Sequence, residues 1–235
     1  MSAHTHTHEY THVRTHAHEA PASSLPPGVA ASVHGRPLAA ALVDERAAAT
    51  APAMGRESWP GRDRARRQHR RWVAQVVVAE ELVRQACERL DVGPDTVQPL
   101  APAPGSSPDE DYADLGGIAS ALLLRSRPAR ALVAYFADRQ HIPEADLRTY
   151  YERNPDRFLT QEALQEGVDP YRGTPDARHL VPFDRARAGI EARLRRSLAH
   201  RAFVSWLDTE REAVVLAPGY EHPGDPAQPD AEHRH

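Results

Sequence analysis

The chain has 235 residues, 40% of them hydrophobic, with 33 acidic against 29 basic residues, a formal net charge of −4, 14 histidines, 21 prolines and one cysteine. That length holds one large or two small domains, the hydrophobic share suffices for a core, and the net charge argues against a generic polyanion binder. The lone Cys87 excludes an intramolecular disulfide and any cysteine-pair metal knuckle, and no run approaches the roughly 18 apolar residues that a membrane span needs.

Residues 1–28 begin MSAHTHTHEYTHVRTHAHEA and continue through PASSLPPG, a polar and then proline-rich composition that reads as a disordered tail. VAASV, with Val29, Ala31 and Val33 alternating before a turn at Gly35, reads as a short strand. AAALVDERAAA follows as a helix with Pro37 just ahead of it, and the prolines and glycines of TAPAMGRESWPGRD break the pattern again. From Asp63 to Leu90, Val73, Val76, Val77, Val83, Ala86 and Leu90 recur at helical spacing, and Gly93-Pro94 closes the segment. QPLAPAPGSSPDED reads as a loop, DYADLGGIASALLLRSR as a helix weakened by Gly116-Gly117, and PARALVAYFADRQ as another helix starting at Pro128.

IPEADLRTYYERNPDRF predicts a short helix with Pro143 in its first turn and carboxylates at the end where the helix dipole favours them. Residues 160–181 carry several Gly and Pro breaks and read as a loop. Phe183 to about Glu210 predicts a long amphipathic helix, with Ile190, Leu194, Leu198, Ala202, Phe203, Trp206 and Leu207 on one side and arginines on the other. EAVVLA reads as a short strand, and residues 218–235 as a second tail rich in proline and histidine.

Catalytic motifs are sparse. There is no Gly-x-Ser-x-Gly elbow, no P-loop and no Gly-x-Gly-x-x-Gly. Cys87 lies inside the amphipathic helix with no histidine near it in sequence, which reads as a buried, inert thiol. Glu80 and Glu81 point about 100° apart on a helix and read as a solvated face. The run RDRARRQHRR, Arg62 to Arg71, has the charge to grip phosphate, but without aromatic interleaving it reads as a solvated helix entry; nucleic acid is not expected as a partner.

The histidines are the unusual feature. His4, His6 and His8 alternate and share one face of an extended chain, His12 and His16 have the i, i+4 spacing that converges on a helix, and His18 follows. His222, His233 and His235 stand at the other end. Largely neutral imidazoles at pH 7 are ligands for copper, nickel or zinc, and an expression tag would have consecutive histidines at one end. A transition metal is therefore the expected cofactor, held by His4, His6, His8, His12, His16, His18, His222, His233 and His235.

The order of these elements resembles the SurA and parvulin-type family of chaperone-foldases. Val33, Gly35, Pro37, Asp44 and Arg46 match its opening segment, Glu80, Glu81, Leu82 and Ala86 its long helix, and Tyr150, Tyr151, Asn154, Pro155 and Phe158 the segment that precedes its isomerase domain. The resemblance implies a mostly α fold, a SurA-like helical chaperone domain over 29–217, with a small two-stranded sheet joining the N- and C-terminal segments. It also implies a crevice for peptide or unfolded polypeptide. The isomerase domain, a unit near ~100 residues, has no room in the loop 160–181, so no prolyl isomerase activity is expected, and His179 reads as structural. Antiparallel pairing of VAASV with AVVLA would bring both histidine tails to one place, where Glu221 or Asp225 could add oxygen ligands. The expected function is a non-catalytic peptide- or protein-binding chaperone-like protein with metal-binding tails; the alternative is a copper- or zinc-dependent enzyme modifying a bound peptide or small molecule. With no membrane partner and histidines where a secretory signal needs an apolar stretch, the expected compartment is the cytoplasm.

Overall fold

The computed structural model describes residues 25–50, 62–93, 100, 112, 115–172 and 176–225. Its elements in chain order are β1 Val29–Val33, β2 Arg36–Ala39, α1 Ala40–Thr50, α2 Arg62–Leu90, α3 Gly117–Arg125, α4 Arg127–Asp138, α5 Glu144–Arg153, α6 Gln161–Gln165, α7 Phe183–Glu212 and β3 Val215–Leu216, with 3-10 turns at Pro155–Phe158 and Ala177–His179. The described residues are mostly helical, as expected. The tails over 1–24 and 226–235, and with them His4, His6, His8, His12, His16, His18, His233 and His235, lie outside the described residues.

The small sheet has three strands where two were expected, in the antiparallel order β2-β1-β3. β1 pairs with β3 through Ala31↔Leu216 and Ser32↔Val215, the expected join of the two chain ends, and with β2 through Val33↔Arg36 and Ala31↔Leu38. The additional strand follows from the turn between them. His34 and Gly35 have φ of 48° and 79°, the double positive-φ pattern of a two-residue hairpin loop whose twist suits the flanking strands. In β2 only Leu38 faces the core, so RPLA shows no alternation, and Pro37 is tolerated because β2 is an edge strand. The hairpin tip is fastened by His34, whose ring nitrogens lie 3.1 Å from Gln85 Oε1 and 3.1 Å from Glu210 Oε2.

α2 runs through the middle of the body. Every residue from Val73 to Ala79 is buried, so this stretch is enclosed on all sides rather than along one stripe; α1 and β1 contact the helix, as do α3, α4 and α7. Two glutamines are buried within it and both are satisfied. Gln75 Nε2 donates to Tyr220 O at 2.9 Å while its Oε1 accepts from Arg211 at 2.7 Å, and Gln85 Nε2 donates to Val33 O at 3.2 Å. Leu90, expected on the apolar stripe, is instead 40% exposed at the last turn.

Local chemistry explains the ends of the other helices. The Ser126 hydroxyl accepts from Ala129 N at 3.2 Å and Pro128 sits in the first turn of α4. Residues 160–181 form more than a loop: Thr160 caps α6 by accepting from Ala163 N at 3.3 Å, and the segment is closed at its base by an antiparallel bridge between Leu159 and Leu180. α7 has two halves in different surroundings. Ala199, Phe203 and Leu207 are buried in the core against α4, whereas the N-terminal half packs on α5 and buries Ile190 alone.

Leu82 is 0% exposed inside α2, so Leu82→Ala is expected to cost about 2–5 kcal/mol of unfolding free energy. Leu42→Ala, at a site 45% exposed, is expected to change it by less than about 0.5 kcal/mol. Urea unfolding of the two variants beside the parent protein measures both.

Candidate functional site

An open cleft of about 540 Å³ lies between the end of α5, the turn Pro155–Phe158 and the N-terminal half of α7. Its floor is apolar, made by Tyr150, Phe158, Val181, Ala186 and Ile190, and its rim carries Arg157, Arg185, Arg193 and Arg196. Adjacent tyrosines on a helix point about 100° apart, and here they divide two tasks. Tyr150 lines the cleft, while Tyr151 holds the wall by donating from its hydroxyl to Val181 O at 2.7 Å and packing against Phe158 and Phe183 with ring centroids 4.7 and 5.6 Å away. Burial pushes the Tyr151 phenol pKa up, which keeps it protonated as the donor. On the outer side, Glu144 at the start of α5 accepts from Arg187 of α7 at 2.9 Å.

Gly189 lies in the lining between Arg185 and Arg193, one turn from each. A Cβ built on it would meet nothing within 4 Å. Glycine in a helix interior costs roughly 1 kcal/mol relative to alanine, and no close neighbour or positive φ requires it here. Its effect is to leave the α7 backbone open to the cleft.

The join of the chain ends forms the second polar centre. Beyond β3, Ala217 N donates to Ala30 O at 2.9 Å, so the segments before β1 and after β3 leave the sheet on the same side. The C-terminal segment is then pinned to α2. Arg70 bonds Asp44 at 2.6 and 3.2 Å, contacts the Tyr220 hydroxyl and lies 4.3 Å over the Tyr220 ring. His222 sits at a hollow of about 310 Å³ lined also by Asp208, Arg211 and Glu212. Its pKa is lowered, first by burial and then by the Arg211 charge. That favours the neutral form a metal needs, but the ring is already engaged: Nδ1 accepts from Gly224 N at 3.1 Å, which places the neutral ring's proton on Nε2. Ligation through Nε2 would require His222 to turn away from Gly224. Glu221 is drawn inward, accepting from Gly219 N at 2.8 Å and lying 4.0 Å from Arg71. Among the described residues, no group of three or more His, Cys, Asp and Glu is arranged to hold a metal ion.

The remaining candidates have structural surroundings. Cys87 is buried with Sγ 3.6 Å from Pro128 O, and burial raises its pKa, as an inert thiol requires. Glu80 and Glu81 are partly buried and ion-paired rather than freely solvated: Glu80 accepts from Arg46 at 3.0 Å, and the Arg84 guanidinium at 2.5 Å lowers the Glu81 pKa. In the arginine run, Arg70 pairs with Asp44 at the surface, and Arg71 is buried 4.0 Å from Glu221. His179 lies 3.2 Å from Glu166, beside the bridge that closes the 160–181 segment. Sequence reasoning missed the four rim arginines as a set; the available signal was a glycine in the middle of an otherwise strong helix with arginines one turn to either side.

The His222 ring is expected to titrate below its ordinary 6.5. A base whose pKa is lowered by folding binds its proton more readily when released, so acidification from 6.5 downward weakens the docking of the C-terminal segment, and the loss levels off below the folded pKa. An NMR titration of the ring signals reads the midpoint, and Arg211→Gln is expected to move it upward.

No family model, no curated protein and no solved structure matches this chain.

Proposed function

We propose that this protein is a non-catalytic, chaperone-like binder of peptide or unfolded polypeptide, with the α5–α7 cleft as its binding surface and histidine-rich ends that take a divalent transition metal. The observation that carries the binding reading is the cleft itself, an apolar floor of Tyr150, Phe158 and Ile190 that is open along one side and rimmed by arginines. Apolar surface supplies affinity for unfolded chain, and long charged side chains at the edge supply orientation and solubility. Its position also supports the resemblance to the SurA type, since the cleft adjoins the YYERNPDRF segment on which that resemblance partly rests.

The metal reading is supported by the common exit of the two ends. With Ala217 bonded to Ala30, the described segments before β1 and after β3 leave the sheet at one edge, and ligands carried by chain that continues from both would cost less entropy to gather than ligands on separate faces. Copper is expected to bind tightest among the divalent ions, and affinity to fall as pH drops from 7 towards 5 because protons compete for the imidazoles.

Calorimetry with untagged protein tests the metal half. Deleting residues 1–18 or 222–235 is expected to weaken Cu(II) binding, and the double deletion to lose less than the sum of the two penalties if the sphere is shared. Strictly additive losses would mean two separate sites, and unchanged titrations after both deletions would remove metal binding from the account. The polypeptide half is tested by anisotropy of a labelled, reduced and carboxymethylated unfolded protein, which is expected to bind the parent protein and to bind more weakly to Ala186→Glu, a change at a partly buried position of the cleft lining.

A further inference from the structure

The arginines of α7 sort by face. Arg187 pairs with Glu144 at 2.9 Å and Glu191 at 3.5 Å, and Arg195 pairs with Glu191 at 2.5 Å. Two positions away from each, and so on the opposite side of the helix, Arg185 and Arg193 line the cleft together with Arg157 across from them. Among the described residues these three make no ion pair and no side-chain hydrogen bond. The residues that line the cleft include four arginines and no Asp or Glu. A chain with a net charge of −4 has thus set Arg157, Arg185 and Arg193, without an ion pair among the described residues, around one apolar floor.

Guanidinium groups match carboxylates with paired, parallel hydrogen bonds, and such charge complementarity selects partners more strongly than it raises raw affinity. The geometry also limits the length of what is read. From Arg185 to Arg196 the helix rises roughly 16 Å at 1.5 Å per residue, which about five residues of extended chain span. Gly189 at the middle of that interval lets the bound segment approach the helix backbone.

Resting on the polypeptide-binding reading, we propose that the cleft selects acidic segments: an apolar side chain seated over Ile190 and Phe158, flanked by carboxylates on Arg157, Arg185 and Arg193, with the chain crossing α7 at Gly189. The floor mixes Tyr150 and Phe158 with Val181, Ala186 and Ile190. Paired guanidinium–carboxylate recognition around an apolar seat fits an acidic peptide, whereas single-stranded nucleic acid, held by aromatic stacking along a basic groove, is the competing occupant that the test includes.

The test uses the full chain and fluorescent peptides with a central Leu-Phe pair flanked by glutamates, together with their glutamine and lysine counterparts and a labelled single-stranded oligonucleotide. The glutamate peptide is expected to bind at least tenfold tighter than the glutamine peptide, and the lysine peptide not to bind. Arg185→Glu and Arg193→Glu, at exposed positions that leave the fold intact, are each expected to weaken the glutamate peptide several-fold. Arg201→Glu, an equal charge change outside the cleft on the same helix, is expected to have little effect. Gly189→Leu is the sharpest variant: it should raise the melting temperature, because leucine favours the helix over glycine and a Cβ at this position meets nothing within 4 Å, yet abolish binding. Equal affinity for the glutamate and glutamine peptides would overturn the acidic selection while leaving polypeptide binding in place. Failure of every peptide to bind would overturn both, and an oligonucleotide binding more tightly than the glutamate peptide would reassign the cleft to nucleic acid.

Discussion

The enclosure of α2 is the constraint on which the rest of the structure depends. At 1.5 Å per residue its 29 residues extend about 43 Å, and between Val73 and Ala79 no side of it is left to solvent. A helix that must be covered all round needs partners on every side, and each neighbouring element answers part of that demand: α1 and β1, then α3 and α4, and finally the C-terminal half of α7. The cost is that polar atoms on α2 must be satisfied inside, and an unmade buried hydrogen bond is expensive. Gln75 and Gln85 meet this by bonding to the chain's last described segment at Tyr220 and to its first strand at Val33. The same helix therefore anchors both β1 and the segment that follows β3.

From that constraint follows the location of the cleft. Ala199, Phe203 and Leu207 of α7 are buried in the core, while the preceding turns meet α5 through Arg187–Glu144 and Phe183–Tyr151. The N-terminal half needs its own support, which Tyr151 and the Glu144–Arg187 pair supply on one side. The other side keeps an apolar floor that no element among the described residues covers, edged by arginines. Structural demands on α7 are concentrated in its C-terminal half, which leaves its N-terminal half free to carry recognition.

The helices were legible in the sequence because their apolar spacing and their flanking proline, serine and glycine agree. The join of β1 to β3 was legible only through the family resemblance, since neither VAASV nor AVVLA names its partner. β2 was hidden because RPLA has one inward residue and a proline, so it lacks the alternation by which strands are read. The 160–181 segment read as a loop because its Gly and Pro residues outweigh a five-residue helix whose main signal is the Thr160 cap. The cleft was hidden for another reason: Arg185 and Arg187 look equivalent in sequence, and only the docking of α5 beside α7 turns one toward Glu144 and the other toward an open floor. The histidines were conspicuous in sequence, yet of the nine named as ligands only His222 falls among the described residues, hydrogen-bonded to Gly224.

The central claim is that the flank formed by α5 and the N-terminal half of α7 receives polypeptide while the body around α2 serves as its support. Amide hydrogen exchange of the full-length protein, with and without a saturating glutamate-flanked peptide, tests this most directly. The account predicts slowed exchange confined to residues 150–158 and 181–196, with the amides of α2 unchanged. Slowing within α2, α3 and α4 alone, with the cleft segments unaffected, would contradict it.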